Sequence, residues 1–234
     1  MSDALRISEN LVQVRERIAV AAARAGRQAD EITLVAVTKY ADEQAISALL
    51  DAGCRDLGES RPQQLWQRAA TFAGRDIRWH MIGHMQRNKV ARTIPLVSLV
   101  HSCDSPRLAS ALDEAAAAQA TGRVPVLIEV NISADPAKHG FGAAELPDAL
   151  AQLATLAHIQ VRGLMAMAGR ADDPVAAQTD FRHLRLLRDK LRDTAPTAIS
   201  LDELSMGMSG DYEIAIAEGA TIVRVGSALY EGAE

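Results

Sequence analysis

The chain has 234 residues, a formal net charge of −5 and an apolar share of 48 %. That charge argues against nucleic acid as a main partner, because phosphate backbones demand a basic face, and the apolar share is that of an ordinary globular protein. No apolar run reaches the roughly 18 residues of a spanning helix, and the opening "MSDALRISEN" has no signal-peptide pattern, so a cytoplasmic protein without membrane contact is expected.

Leu5 to Ala25 places Leu11, Val14 and Ile18 on one helical face and stops at Gly26. Apolar runs then recur at 32–39, 56–59, 78–83, 96–102, 124–132, 159–167, 203–208 and 221–229, most of them separated by helical patterns. The helix signals are local. Asp42 is placed to cap the next helix and Gly53 to end it; Ser60 and Gln63 form a capping-box pattern with Pro62 in the first turn. Ser105 and Pro106 open another helix, and Phe181, Leu184, Leu187 and Leu191 share one face of a later one. Strands alternating with helices predict a parallel α/β architecture, and runs such as "VPVLIEVNI" are continuously apolar, as strands covered on both faces require. Eight repeats favour a closed (β/α)₈ barrel over an open sheet, and no G-x-G-x-x-G follows any strand. Without a linker-like stretch, one domain over residues 1–234 with an extra N-terminal helix is expected.

In such barrels chemistry gathers where the strands end. Only four of the 25 basic residues are lysines, Lys39, Lys89, Lys138 and Lys190, yet Lys39 closes the first strand. Arginine keeps its proton, whereas a lysine among apolar neighbours can serve as a neutral amine nucleophile. At the last two strand ends, "SMGMSGD" and "RVGSALY" offer Ser209, Ser227 and Gly226 for a phosphate cradle, with Arg224 on the strand below. A nucleophilic lysine plus a phosphate cradle points to pyridoxal 5′-phosphate held as a lysine aldimine, with Arg224 facing the pyridine nitrogen. Blander readings stand beside this one. Lys39 snorkels to solvent, Ser209 is only the N-cap of "DYEIAIAEGA", Gly226 is a bend at the rim, or Arg224 pairs with Glu129. Tyr40, next on an alternating strand, should point away from Lys39. His80 and His84 are four apart but straddle Gly83 without an H-E-x-x-H glutamate, so no metal site is expected. Cys54 and Cys103 read as small buried residues in a reduced compartment, and Asn88 and Lys89 as the solvated opening of a helix.

Together, "LVAVTK", "WHMIGHMQRNK", "VNIS", "KHGF", "GLMAM" and "LSMGMSGDYEIAIAEGATIVRVGSALY" resemble the pyridoxal phosphate homeostasis proteins, the alanine racemase N-terminal-domain-like family, from about residue 31 onward. The resemblance implies a barrel of that type with the cofactor on Lys39 and Arg224 at the pyridine nitrogen. It implies phosphate contacts from Gly226, Ser227 and Ser209, with Ser205 as a further candidate. Two positions depart from the family pattern. Ser60 stands where asparagine follows "GE", so a contact there would be shorter or bridged by water, and Met85 replaces a leucine at similar volume. The resemblance further implies buffering of pyridoxal phosphate and delivery to apo-enzymes rather than robust catalysis. A separate tyrosine-bearing domain of the racemase kind is not expected in the chain, and neither is a dimer. The alternative is a weak one-base racemase, drawing an acid from Cys103, His80 or His84. A Schiff-base aldolase without cofactor is a third reading, and Lys89 or Lys138 would be the place for a second cofactor.

Overall fold

The computed structural model describes residues 2–120, 122–169 and 173–233. Its eight strands are β1 Thr33–Val37, β2 Asp56–Glu59, β3 Arg78–Met81, β4 Leu99–Cys103, β5 Val124–Glu129, β6 Ile159–Met165, β7 Glu203–Ser205 and β8 Ile222–Val225. They follow one another in parallel around a closed barrel, sealed by β1 against β8 with Val35 opposite Arg224. The helices are α1 Asp3–Arg24, α2 Glu43–Asp51, α3 Pro62–Thr71, α4 Val90–Thr93, α5 Pro106–Gln119, α6 Leu146–Leu153, α7 Pro174–Arg192, α8 Tyr212–Ala217 and α9 Ser227–Tyr230. This is the (β/α)₈ barrel that the alternation of segments predicts. Among the described residues no helix is long and apolar enough to cross a membrane.

Two apolar clusters flank the barrel strands. Val35, Leu99, Leu127, Met165 and Ile222 fill the barrel interior, while a larger cluster lies between the strands and the helices. The N-terminal helix α1 buries Ile7, Leu11, Val14 and Ile18 and packs against both α2 and α8. Asn10 fastens it to the chain's far end by donating to Leu229 O at 3.2 Å and Glu231 O at 2.9 Å. Most local signals are realised. Asp42 caps α2 by accepting from the Ala45 N–H at 2.7 Å, and Ser105 caps α5 through Leu108 at 3.3 Å. The Ser60 and Gln63 capping box does not form. The N-cap of α3 is Arg61, with no side-chain bond, and Pro62 supplies the first helical residue.

Six strands end earlier than their apolar runs, and three of these endings, those of β1, β7 and β8, matter for the site. β1 stops at Val37; the Thr38 N–H makes a last bond to Gly58 O at 3.0 Å, and Ala41 N–H then closes a turn onto Thr38 O at 2.8 Å. The later parts of the runs at 203–208 and 221–229 leave the sheet to form the loop after β7 and helix α9.

Candidate functional site

Beyond the ends of β1, β7 and β8 lies a cavity of about 1050 Å³, and Lys39, Ser209, Arg224, Gly226 and Ser227 all line it. These residues come from three strand ends far apart in sequence, and closure of β8 onto β1 unites them.

Lys39 sits on the 38–41 turn and is exposed, not buried as its place in an apolar run suggests. Its ammonium lies 4.9 Å from the centre of the Tyr40 ring. The strand alternation that should separate the two is gone, because β1 has already ended, and Tyr40 lines the same cavity. A buried ionic cluster holds this turn from behind. Arg68 of α3 donates to Thr38 O and to Ala41 O, both at 2.5 Å, and pairs with the fully buried Glu59 at the end of β2. The Thr38 hydroxyl donates to the same Glu59 carboxylate. Both ends of the turn that carries Lys39 are therefore pinned by one guanidinium.

The loop after β7 supplies the second element. Gly207 takes φ +94°, and a Cβ there would meet Ala215 at 2.6 Å, so only glycine fits. Asp211 then accepts from the Met208 N–H at 2.6 Å and closes the loop. Ser209 does not cap α8, whose N-cap is Asp211. Its oxygen instead accepts the backbone N–H of Gly226 at 3.0 Å and of Ala228 at 3.4 Å, gathering hydroxyl and amide groups at one place on the wall. Such a convergence of donors suits an anion.

Arg224 is 5 % exposed and makes no ion pair with Glu129; its charge is balanced only through space, by Asp211 and Glu129. Burial lowers it to about 10, so it stays cationic at neutral pH. One arm donates to Ala166 O at 3.1 Å and the other to the Ser205 hydroxyl. Ser205 is thus not on the cavity wall but directly beneath Arg224. From there a chain of bonds crosses the barrel. Ser205 Oγ is 2.9 Å from His101 Nδ1, His101 Nε2 is 2.9 Å from His80 Nδ1, and His80 Nε2 is 3.1 Å from Asp56 Oδ1. One assignment of protons satisfies every member. Arg224 donates to Ser205, Ser205 to His101, His101 to His80, and His80 to Asp56. Burial opposes ionisation of Asp56, but hydrogen bonds from His80 and Arg78 outweigh it and hold its carboxyl at about 2.

His101 is fully buried, and desolvation, with His80 and Arg224 nearby, drives its pKa well down. It must therefore stay neutral in the folded protein. Unfolded, it takes a proton below about pH 6.5, so this stability is complete above that pH and is lost as pH falls below it. Thermal melts at pH 7.5 and 5.5 are expected to show a smaller acid-induced loss for His101→Gln than for the parent chain. The same variant should lose about 1–3 kcal/mol at pH 7.5 as Ser205 and His80 lose partners. Equal acid sensitivity would remove His101 from the chain's titration.

The remaining site expectations fare differently. Ser60 is half-buried and does not line the cavity; its backbone lies so close to Gly83 that a Cβ on that glycine would fall 2.3 Å from Ser60 O. Cys103, His80 and His84 also stand outside the cavity, and burial pushes the Cys103 thiol up to about 12. Lys138 donates to Ala168 O at 3.0 Å, and Lys89 lies 5.7 Å from the Trp66 ring. Sequence reasoning missed that Ala4 and Ile7 of α1 border the cavity, and that the Tyr230 hydroxyl donates to Val37 O at 3.2 Å beside the Lys39 turn. No local pattern signals contacts between opposite ends of the chain.

A parallel barrel whose mouth joins a lysine, a buried arginine and a hydroxyl-lined loop has the chemistry to accept an anionic ligand beside an amine. The family model for the alanine racemase N-terminal domain matches residues 10–234. A pyridoxal phosphate homeostasis protein of Escherichia coli is 36 % identical over 230 residues, covering 96 % of this chain and 95 % of its own. The protein of that name from Deinococcus radiodurans is 40 % identical over 211 residues, covering 90 % and 94 %. PipY of Synechococcus elongatus, solved with PLP bound, superposes with a TM-score of 0.84 at 33 % identity, covering 96 % and 99 %. Alanine racemase of Clostridium difficile shares the fold, with a TM-score of 0.75 at 15 % identity over 96 % of this chain and 56 % of that one. The chain belongs to the pyridoxal phosphate homeostasis protein family, whose barrel is of the alanine racemase N-terminal-domain type.

Proposed function

We propose that this chain holds pyridoxal 5′-phosphate in the cavity through a Schiff base with Lys39, and that it buffers the cofactor in the cytoplasm and passes it to apo-enzymes. The observation that carries the reading is the meeting of Lys39, Arg224 and the Ser209–Gly226–Ser227 cradle in one cavity. The residues present fit the group. A buried cation without a contacting carboxylate suits an electron-rich pyridine nitrogen, and converging hydroxyl and amide groups suit a phosphate. When bound, the cofactor supplies an aldehyde. Lys39 supplies the amine, Arg224 keeps a fixed positive charge at its end of the cavity, and the chain through His101 to Asp56 keeps that guanidinium oriented. All of these groups come from one chain, so a monomer suffices. Cys103, His80 and His84 stand away from the cavity, which favours holding the cofactor over turning over an amino acid.

The test is absorbance of the full chain with added pyridoxal phosphate, borohydride reduction and peptide mapping, followed by transfer to a pyridoxal-phosphate-dependent apo-enzyme read as restored activity. Label on the Lys39 peptide with transfer supports the reading. Sustained racemisation or α-hydrogen exchange that requires Lys39 would replace it with a racemase. Ser209→Ala is expected to weaken pyridoxal phosphate binding roughly tenfold, about 1.4 kcal/mol, and to leave unphosphorylated pyridoxal unaffected. Equal losses for both would place Ser209 away from the phosphate.

A further inference from the structure

Across the barrel mouth from the cavity, the ends of β3, β4 and β5 gather four side chains that the proposed function does not use. His84 follows β3, Asp104 follows β4, Glu129 ends β5, and His139 lies in the loop beyond it. Ligand atoms of His84, Asp104 and His139 all fall within 4.8 Å of one another. The two imidazole centres are 4.1 Å apart, and His139 Nδ1 is 3.9 Å from Asp104 Oδ2. Glu129 is only 3 % exposed, with its Oε1 3.3 Å from His84 Nε2. Its other oxygen, Oε2, is buried without a hydrogen-bond partner, and an unsatisfied buried carboxylate oxygen is costly.

The loop that brings His139 here is anchored to β5. Phe141 N–H donates to Glu129 O at 2.8 Å, and Asn131 N–H donates to Phe141 O at 3.0 Å. Gly140 takes φ +106° in a space where a Cβ would fall 2.8 Å from Glu129 O, so the close approach requires glycine. The His84 and His139 side chains are 44 % and 65 % exposed, which leaves room for the small rotations that would bring their nitrogens to ~2.0–2.1 Å from an ion.

We propose that His84, Asp104 and His139, with Glu129 beneath them, bind a divalent transition-metal ion of the zinc class. Imidazole with carboxylate is a donor set that zinc accepts, and the ion would place a positive charge close to the buried Glu129 carboxylate, whose Oε2 has no hydrogen-bond partner. The site is independent of the cofactor reading. Its ligands lie at 84, 104 and 139, with Glu129 behind His84, a spacing with no motif, because three strand ends converge only when the barrel closes.

Calorimetric titration of the chelator-treated full chain with Zn²⁺, with and without pyridoxal phosphate, is expected to give one equivalent per chain. Co²⁺ in its place should produce the visible bands of a low-symmetry site. His139→Ala, at an exposed position, should weaken Zn²⁺ binding at least about tenfold and Glu129→Gln about 10–100-fold. His158→Ala, which removes a surface histidine beside Asp113 elsewhere, should leave it unchanged. The absence of Zn²⁺ binding by the parent chain, or undiminished binding by His139→Ala, overturns the proposal. Unaltered melting of His139→Ala without metal excludes misfolding as the cause of a loss.

Discussion

Arg68→Met is expected to destabilise the fold by about 3–5 kcal/mol, the cost of stranding one partner of a buried ion pair. Glu59 is fully buried, and Arg68 is its counter-charge. The same substitution removes the donors to Thr38 O and Ala41 O and so frees both ends of the turn that bears Lys39. Urea unfolding reads the first effect, and slower reaction of Lys39 with added pyridoxal phosphate reads the second. Glu59→Leu combined with Arg68→Met should recover a large part of the lost stability, since an apolar replacement of the whole pair leaves no isolated charge. The turn should stay loose in that double variant. A loss under about 1 kcal/mol for Arg68→Met would mean that the pair contributes no more than a surface bridge does.

Lys39→Ala is expected to abolish covalent capture of pyridoxal phosphate altogether, leaving the weaker, readily dialysed binding that Arg224 and the phosphate cradle provide. Lys39→Arg separates the amine's charge from its chemistry. Arginine restores a cation at the mouth but supplies no amine for the aldehyde, so it should also fail to colour. Borohydride reduction followed by peptide mapping is the deciding measurement. Label on Lys89 or Lys138 in the parent chain, with none on Lys39, would move the cofactor to another part of the barrel. The exposure of Lys39 bears on its chemistry. A lysine on a pinned but open turn is accessible to an incoming aldehyde, and the braced backbone, rather than an apolar coat, is what sets its position.

The order of elements was legible in the sequence, because each strand carries its own apolar run and each helix its own face and stop signal. β2 spans Asp56–Glu59, the residues its apolar run marks, and Asp42 and Ser105 cap their helices as expected. Such signals act over a few residues, so the sequence expresses them without knowledge of the fold. The candidate site was half legible. Lys39, Ser209, Arg224, Gly226 and Ser227 stand out as residue types misplaced for plain strands and turns. The burial of Lys39, the Ser60 capping box and a place for Ser205 on the wall all failed. Each depended on where a strand leaves the ladder or on what packs behind it. Tertiary structure alone decided the rest. Arg68 reads as an ordinary helix-surface charge until Glu59 lies beneath it. His80, His101 and Ser205 read as strand polar residues until the barrel interior lines them up between Asp56 and Arg224. Alternation assigns a side chain to one face of its strand, but only closure of the barrel determines which partners it meets there.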